Sequence, residues 1–173
     1  MKKGKQLTLV KSTIDQICAV IFDFDGVFTD NSVYIDETGI EYVRCSRADG
    51  LGIKMLDELR VPMIVISSEI NPVVKIRCKK LGIDCVNGVK NKVQVAGRWL
   101  SKMGVEPKNT LFVCNDINDI PLMKILGFKW CVNDAWPEVA NLADFKLSRK
   151  GGYGAVREAC EILKSYKGEK HEI

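Results

Sequence analysis

Histidine is nearly absent from the sequence: the chain has one, His171, in a polar segment near its end. Without further histidines, the chain cannot assemble a Ser-His-Asp or Cys-His nucleophile pair in a folded core, or a histidine-rich metal site. Any chemistry must therefore use carboxylates, lysine, hydroxyl groups and a hard metal ion.

Patterned cysteines are also missing. The seven cysteines are an odd number, and none of them forms a Cys-x-x-Cys motif, so neither a disulfide framework nor a zinc site is indicated. Most of them lie in apolar segments, as is typical of small buried side chains in a reducing compartment. We therefore expect reduced cysteines in a cytoplasmic protein.

Two further absences exclude classes of partner. No apolar run reaches the roughly 18 residues that a membrane-spanning helix needs, and no signal peptide opens the chain. Lysine and arginine are scattered and the net charge is only +4, so no basic stripe favours nucleic acid. An anionic small molecule is compatible with this balance.

The 173 residues are enough for one domain with a substantial core, so we predict a single domain over residues 1–173. Buried apolar runs alternate with helical patterns, which predicts an α/β fold with a parallel central sheet and helices on both faces. The predicted strands are residues 17–22, 62–66, 83–86, 110–114 and 128–132, with an edge strand at 144–147. The predicted helices are about 51–59, 72–81, 91–103 and 120–126, a short one from Pro137 and a last one ending near Tyr166. Gly82 is the predicted C-cap of the second helix.

A hairpin is predicted near the start of the chain. Two short strands, residues 32–35 and 40–43, surround a turn that ends in Gly39, whose backbone freedom suits a hairpin. We predict a β-hairpin flap over about residues 31–44. Only about 36 residues lie between Asp30 and Ser67, which leaves no room for a folded cap domain.

The first predicted strand ends in Asp23-Phe24-Asp25-Gly26. The carboxyl ends of strands in such a sheet face the ligand-binding crevice. Two carboxylates one residue apart repel each other unless a cation or a shared proton compensates, and a hard cation with oxygen ligands, Mg²⁺ above all, would do so. The alternative is ordinary turn chemistry, since Asp and Gly are common turn residues.

Polar residues also follow two other buried strands: Ser67 and Ser68 after one, Asn115 and Asp116 after another. Lys92 lies between these clusters, near the start of a helix. Each feature alone has a simpler explanation, because serine often caps helices, lysine is usually solvated and Asn-Asp often forms a turn. Their shared placement at the ends of parallel strands instead favours one site.

These residues, in this order, resemble the four motifs of the haloacid dehalogenase (HAD) superfamily of phosphotransferases: Asp-x-Asp, a hydroxyl residue, a lysine and an acidic motif. The stretch Asp-Phe-Asp-Gly-Val-Phe-Thr-Asp is similar to the first signature of that superfamily. The resemblance covers about residues 17–160 and is strongest to the small, capless phosphatases of 3-deoxy-2-ulosonic acid phosphates, which implies a HAD-like Rossmannoid three-layer sandwich. The closer resemblance is carried by residues 25–30, 49–52, 77–83, 91–92 and 151–158.

By that resemblance, phosphoryl transfer passes through an aspartyl-phosphate. Asp23 is expected to be the nucleophile and Asp25 the general acid and base. Ser67 and Lys92 are expected to hold the phosphoryl oxygens. Magnesium is the implied cofactor, with Asp23, the Asp25 carbonyl, Asn115 and Asp116 as its implied ligands.

Asn115 departs from one common form of the family, which has Gly-Asp-Asp where this chain has Cys114-Asn115-Asp116. An amide oxygen can bind Mg²⁺ but brings no negative charge, which predicts a lower affinity for the metal. Related sialic-acid-pathway sequences resemble this chain in having Asn there, so we expect activity to be kept. Asp119 is expected to bind the metal or to orient its waters.

The family divides between eight-carbon and nine-carbon substrates. After the hydroxyl residue of the second motif, the eight-carbon type usually has Gly-Arg, whereas this chain has Ser68-Glu69. A Glu there, together with Lys80, resembles the nine-carbon, sialic-acid-type phosphatases, although both are also ordinary solvated helix residues. We therefore predict a nonulosonate 9-phosphate of the Neu5Ac or KDN type, with 3-deoxy-manno-octulosonate 8-phosphate as the alternative. The residues implied to contact the substrate are Thr29, Asn31, Ser68, Glu69, Arg77 and Lys80.

The two candidate substrates imply sialic acid biosynthesis and lipopolysaccharide biosynthesis, respectively. Members of the family typically form homotetramers in which neighbouring subunits close the site, so further copies of this chain are the expected protein partner. The glycine-rich segment at 151–154 is either a loop before a helix or, by the resemblance, the start of a C-terminal segment, about 151–173, that reaches over the active site.

Two other classes of function remain open at this stage. A non-catalytic oligomerisation domain, as in some cytidylyltransferase fusions, does not need the complete set of Asp23, Asp25 and Lys92. A two-component receiver domain also uses Asp, a hydroxyl, Lys and Mg²⁺. Receivers, however, place the acidic pair and the phosphorylated Asp on different strands, whereas Asp23 and Asp25 share one loop.

Overall fold

The computed structural model describes residues 14–167, so His171 and the end of the predicted C-terminal segment lie outside the described residues. The strands are β1 (Ala19–Phe22), β2 (Thr29–Ile35), β3 (Glu41–Cys45), β4 (Met63–Ile66), β5 (Asp84–Val86), β6 (Thr110–Cys114), β7 (Phe128–Cys131) and β8 (Phe145–Lys146). The helices are α1 (Arg47–Glu58), α2 (Val73–Leu81), α3 (Lys92–Met103), α4 (Ile120–Met123), α5 (Pro137–Leu142) and α6 (Ala155–Lys167), with 3₁₀ turns at Pro107–Asn109 and Ile117–Asp119.

The central sheet has the strand order β5-β4-β1-β6-β7-β8. All of its neighbouring strands are parallel. β2 and β3 form a separate antiparallel hairpin. The prediction of a parallel α/β fold with a hairpin flap is confirmed, and no cap domain is evident in residues 14–167.

Side chains of β1 alternate between two apolar layers, as the pleat of a strand requires. Val20 and Phe22 pack in a cluster with residues of α1, α2 and α6. Ala19 and Ile21 pack on the opposite face with residues of α3, α4 and α5. Because helices cover both faces, every strand residue of β1 is buried, and the sheet is the middle layer of three.

Helix ends follow local capping chemistry. α1 begins at Arg47, earlier than predicted, because the Ser46 hydroxyl accepts a hydrogen bond from the Ala48 N–H at 3.2 Å. α3 begins one residue after Asn91, whose side chain accepts from the Gln94 N–H at 3.0 Å. Gly82 ends α2 in the left-handed conformation, with φ 70°, as its predicted C-cap role requires.

Some predicted boundaries were wrong. β1 begins at Ala19 rather than at residue 17, and α4 ends at Met123 rather than at residue 126. The hairpin strands are longer than predicted, because pairing continues to Thr29 and Cys45 at the base of the hairpin. None of the helices in residues 14–167 combines the length and the apolar character needed to cross a membrane.

Candidate active site

A cavity of about 460 Å³ opens at the carboxyl ends of β1, β4 and β6, beside the hairpin. This is the edge of the sheet at which parallel α/β folds bind ligands. Most of its lining side chains are polar, and none of those contributed by residues 14–167 is a lysine or an arginine. The lining residues include Asp23, Asp25, Thr29, Asn31, Glu41, Ser67, Ser68, Glu69, Asn71, Asn115 and Asp116.

Asp23 is held in a fixed orientation directly after β1. Its side chain is almost completely buried, and its Oδ1 accepts a hydrogen bond from the Phe24 N–H at 2.8 Å. The Lys92 Nζ lies 2.7 Å from the same oxygen. Lys92 is the first residue of α3, so the start of that helix brings a buried ammonium group to the nucleophile candidate.

Lys92 also contacts Asp119, with 2.7 Å between its Nζ and the Asp119 Oδ1. The Asp119 Oδ2 accepts from the Asn115 N–H at 3.3 Å. Asp119 was expected to bind the metal or orient its waters, but in this structure its two oxygens face Lys92 and the backbone of Asn115. It therefore orients Lys92 and the loop that carries Asn115.

One ammonium group faces two carboxylates in this buried cluster, and the pKa values reflect the imbalance. Burial raises the pKa of Asp119 to about 7, and the neighbouring Asp23 charge adds to the shift. Burial also raises the pKa of Asp23, although Lys92 opposes the shift. Burial by itself lowers the pKa of Lys92, but the attraction of both carboxylates prevails and the pKa is raised. Lys92 therefore stays protonated, and the cluster favours a further cation nearby.

Asp25 lies two residues further on and points towards the end of β4. The Ser67 hydroxyl lies 3.5 Å from the Asp25 Oδ2, at the limit of hydrogen bonding, and its oxygen accepts from the Glu69 N–H at 3.0 Å. Burial raises the pKa of Asp25, and the Glu69 carboxylate contributes to the shift. A carboxyl group that holds its proton at higher pH is suited to general acid catalysis.

Asn115 lines the cavity and has an unpaired side-chain oxygen. The residue is buried, and its Oδ1 has no hydrogen-bond partner among the described residues. Gly26 makes this arrangement sterically feasible, since a Cβ there would lie 1.9 Å from the Asn115 Nδ2. The neighbouring Asp116 lines the same cavity.

The oxygen atoms of Asp23, Asp25, Asn115 and Asp116 therefore suit a hard cation. Within residues 14–167, no three carboxylate, thiolate or imidazole side chains converge to hold a metal ion by themselves. An ion here would need the amide of Asn115, backbone carbonyls, water or substrate oxygens as well. This ligand set is typical of Mg²⁺, which usually keeps several waters and binds one or two carboxylates.

Two of the expected substrate ligands shape the loop after β1. The Thr29 hydroxyl oxygen accepts hydrogen bonds from the Gly26 N–H at 3.0 Å and the Asn31 N–H at 3.2 Å. Thr29 is buried, so its hydroxyl fixes the loop in addition to lining the cavity. Asn31 adopts φ 62° at the base of the hairpin and also lines the cavity.

The four other expected substrate ligands separate into two pairs. Ser68 and Glu69 line the cavity. Arg77 does not: its Nη2 donates to the Ser46 carbonyl oxygen at 2.8 Å, which turns the side chain towards the start of α1. Lys80 is exposed on α2 and is also absent from the cavity wall. Contacts of Arg77 and Lys80 with the substrate therefore remain a prediction. The cleft of a single chain does not support it, because neither residue lies in its wall.

Glu41 and Asn71 are among the residues of the cavity wall that sequence reasoning missed. The Asn71 Nδ2 donates to the Glu41 Oε2 at 3.2 Å, and the Asn71 N–H donates to the Glu69 Oε1 at 2.8 Å. Asn71 thus joins the hairpin to the loop after β4. Asn71 follows a buried strand closely in sequence, which could have identified it, whereas nothing in the sequence singles out Glu41.

The glycine-rich segment at 151–154 does not line the cavity. It packs on the outer side of the loop after β1, where the Gly152 N–H donates to the Val27 carbonyl oxygen at 3.1 Å. In residues 151–167 the segment therefore supports that loop rather than covering the cleft. The rest of the predicted C-terminal segment lies outside the described residues.

Comparison with known proteins identifies the family. The chain is 32% identical over 170 residues to the 3-deoxy-D-manno-octulosonate 8-phosphate phosphatase KdsC of Salmonella typhi, covering 98% of this chain and 90% of that protein. No family model matches the chain.

Solved structures agree with this relationship. The cobalt-bound deoxy-D-mannose-octulosonate 8-phosphate phosphatase of Haemophilus influenzae is 32% identical, with a TM-score of 0.85 over 90% of this chain and 92% of that one. The 3-deoxy-D-manno-octulosonate 8-phosphate phosphatase of Yersinia pestis is 27% identical, with a TM-score of 0.89 over 94% and 89% of the two chains. The chain therefore belongs to the KdsC-type phosphatases of the HAD superfamily.

Proposed function

We propose that this protein is a Mg²⁺-dependent phosphomonoesterase that hydrolyses the phosphate ester of a 3-deoxy-2-ulosonic acid through an aspartyl-phosphate. The observation that carries the proposal is the convergence of Asp23, Asp25, Ser67 and the unpaired Asn115 Oδ1 in one cavity, with Lys92 behind Asp23. The names of the KdsC relatives support the substrate class.

In the first step, an oxygen of Asp23 attacks the phosphorus atom and the bond to the sugar oxygen breaks. The Asp23 Oδ1 is bound by the Phe24 N–H and by Lys92, which leaves Oδ2 as the attacking atom. Asp25 gives its proton to the departing sugar oxygen. Asp25 then takes a proton from a water molecule that attacks the phosphorus atom. The bond between the phosphorus atom and Asp23 breaks, which releases phosphate and regenerates the Asp23 carboxylate.

Ser67 and Lys92 assist by position and charge. Ser67 lies within 3.5 Å of Asp25 and can donate a hydrogen bond to a phosphoryl oxygen in the cleft. Lys92 keeps the Asp23 carboxylate oriented and offsets negative charge as it develops. Asp23, the Asp25 carbonyl, Asn115 and Asp116 would hold Mg²⁺, which supplies positive charge that draws the phosphate to Asp23.

Two sugar-acid phosphates are candidate substrates. We favour a nonulosonate 9-phosphate, because Glu69 lines the cavity at the position where the resemblance places a residue of the nine-carbon type. Its carboxylate can accept hydrogen bonds from sugar hydroxyls. The second candidate is 3-deoxy-manno-octulosonate 8-phosphate, which the names of the relatives support.

The test is hydrolysis of both sugar-acid phosphates and of p-nitrophenyl phosphate by the purified full chain with and without Mg²⁺. We expect Mg²⁺-dependent release of phosphate, and its loss by at least about a thousandfold in Asp23→Asn. An inactive wild type would favour the non-catalytic oligomerisation domain instead. A kcat/KM at least about tenfold higher for the eight-carbon substrate, or ~1.4 kcal/mol, would reject the nine-carbon preference.

We also propose that copies of this chain assemble into a homo-oligomer, with a tetramer as the family expectation, and that the enzyme works in the cytoplasm. The exposed apolar side chains of the hairpin support assembly, since a two-stranded hairpin has little stability alone in water. These side chains are Val33, Tyr34, Ile35, Ile40 and Tyr42. Light scattering coupled to size exclusion would measure the mass, and a monomer at micromolar concentration would reject the assembly.

A further inference from the structure

The β2–β3 hairpin forms one wall of the cleft although most of its length stands away from the sheet. Six of its residues line the cavity. Its tip is exposed, with Ile35 at 66% of its full accessible surface. Because a two-stranded hairpin has little rigidity of its own, contacts within the chain at its base contribute to where this wall lies relative to Asp23, in addition to any contacts between copies.

The backbone at the base of β2 does not supply that rigidity. The register between β2 and β3 shifts between Thr29 and Val33, and Asn31 within this bulge adopts φ 62°. A bulge interrupts the ladder of hydrogen bonds and bends its strand. Side chains of β3 therefore contribute to fixing the hairpin: Glu41 binds Asn71 at one end of the strand, and Arg44 lies at the base.

Arg44, in β3, makes three contacts at this point. Its Nη1 donates to the Gly152 carbonyl oxygen at 3.1 Å and lies 3.5 Å from the Asp30 Oδ2. Its guanidinium group lies 4.1 Å from the centre of the Tyr153 ring. A hydrogen bond and a cation–π contact thus join the hairpin to the segment at 151–154, and charge attraction to Asp30 joins β3 to β2 through the same side chain.

The segment that receives Arg44 is itself fixed to the catalytic loop. A Cβ on Gly151 would lie 1.9 Å from the Gly26 carbonyl oxygen, and a Cβ on Gly152 would lie 2.4 Å from the Asp30 nitrogen. The Gly151 N–H donates to the Asp134 Oδ1 at 3.0 Å. Such close backbone approach needs glycine and leaves the segment no freedom relative to the loop after β1.

We propose that Arg44 is a positioning residue, which fixes the hairpin wall over the cleft by binding Gly152, Asp30 and Tyr153, and thereby sets the fit of the leaving group. The inference rests on the proposed function, because it concerns how that site accepts its substrate. Asp23, Ser67 and Lys92 lie outside the hairpin. Transfer of a phosphoryl group from a small ester that does not reach the hairpin should therefore not depend on Arg44.

The test compares p-nitrophenyl phosphate with whichever sugar-acid phosphate the wild type hydrolyses. For Arg44→Gln we expect KM for the sugar-acid phosphate to rise about tenfold, while its kcat and the kcat/KM for the aryl ester stay within about twofold. Tyr153→Leu should raise the same KM by about threefold, whereas Tyr153→Phe keeps the ring face and should match the wild type. Arg98→Gln, an exposed arginine on α3, is the matched control.

A second measurement does not need the substrate. Amide hydrogen exchange of residues 32–43 should be at least about fivefold faster in Arg44→Gln than in Arg98→Gln, because the hairpin opens more often. Equal loss on both substrates, or hairpin exchange that matches the control, would overturn the proposal. A wild type that hydrolyses only the aryl ester would instead reject the proposed substrate, and hairpin exchange alone would then decide the role of Arg44.

Discussion

Gly26 and Asn115 lie so close together that a Cβ atom on Gly26 would be 1.9 Å from the Asn115 Nδ2. The contact joins the loop after β1 to the loop after β6. It also leaves the Asn115 Oδ1 buried with no partner among the described residues. A buried acceptor in this position gains a partner when a cation binds, so the contact links the shape of the loop to the metal affinity of the site.

Gly26→Ala should therefore displace the Asn115 side chain. We expect kcat/KM to fall at least about a hundredfold and the Mg²⁺ concentration for half-maximal activity to rise. Gly39→Ala is the matched control, because Gly39 also has a positive φ, +80°, but open space around it. Both variants should lose about 1 kcal/mol of stability from the left-handed backbone, and equal losses of activity would contradict a specific role for Gly26.

Asn115→Asp should change the metal dependence in the opposite direction. A carboxylate brings negative charge to the cation, so the Mg²⁺ concentration for half-maximal activity should fall about tenfold. Without metal, the same change adds a buried charge beside Asp23 and Asp119, and the melting temperature in EDTA should fall. The control is Asn118→Asp, at an exposed position of the cavity wall, which should alter neither quantity appreciably.

Lys92→Met should destabilise the metal-free protein by about 3 kcal/mol, because it leaves two carboxylates buried without their ammonium partner. Adding Asp119→Asn to this variant should restore part of the loss, since it removes one of the two charges. The measurement is urea unfolding of the wild type, both single variants and the double variant. Simple additivity of the two changes would show that the three side chains are not coupled.

Asp49 provides a prediction for pH. Its side chain is fully buried, its Oδ1 accepts from the Arg157 N–H at 3.1 Å near the start of α6, and its Oδ2 has no partner among the described residues. Burial raises the pKa of Asp49 to about 6. In the unfolded chain, the Asp49 carboxyl group should titrate near pH 3.9. Below that pH the group is neutral in both states, so its charge does not lower the stability of the folded protein.

The buried Asp49 charge lowers the free energy of unfolding progressively as pH rises from about 4 to about 6, because only the folded state disfavours ionisation. At higher pH the loss of stability is constant. Relative to the wild type, Asp49→Asn should therefore gain about 2–3 kcal/mol of stability between pH 4 and pH 7.5. Urea unfolding at both pH values measures the gain. Asp84→Asn, at an exposed position on β5, should show no such change. If the stability of Asp49→Asn relative to the wild type did not change between the two pH values, the interpretation would be refuted.

Much of the fold follows from local patterns in the sequence. The run that became β6 was predicted with its observed ends, Thr110–Cys114, because a run of five apolar or β-branched residues between polar turns is typical of a buried strand. Gly82 was predicted as a C-cap, because a left-handed residue after a helix needs glycine. Other element boundaries depend on pairing between strands. The hairpin, for example, continues to Cys45 because Thr29 pairs with that residue.

The family resemblance and the meeting of Asp23, Ser67 and Asn115 at one cleft follow from the sequence alone, because each of these residues follows a strand and parallel strands end at one edge. The direction of a long or buried side chain depends on distant contacts. Only the tertiary structure places Asp119 against Lys92, turns Arg77 towards the Ser46 carbonyl, and joins Arg44 to Gly152. Such contacts link residues that are far apart in the chain, so local sequence patterns carry no signal for them.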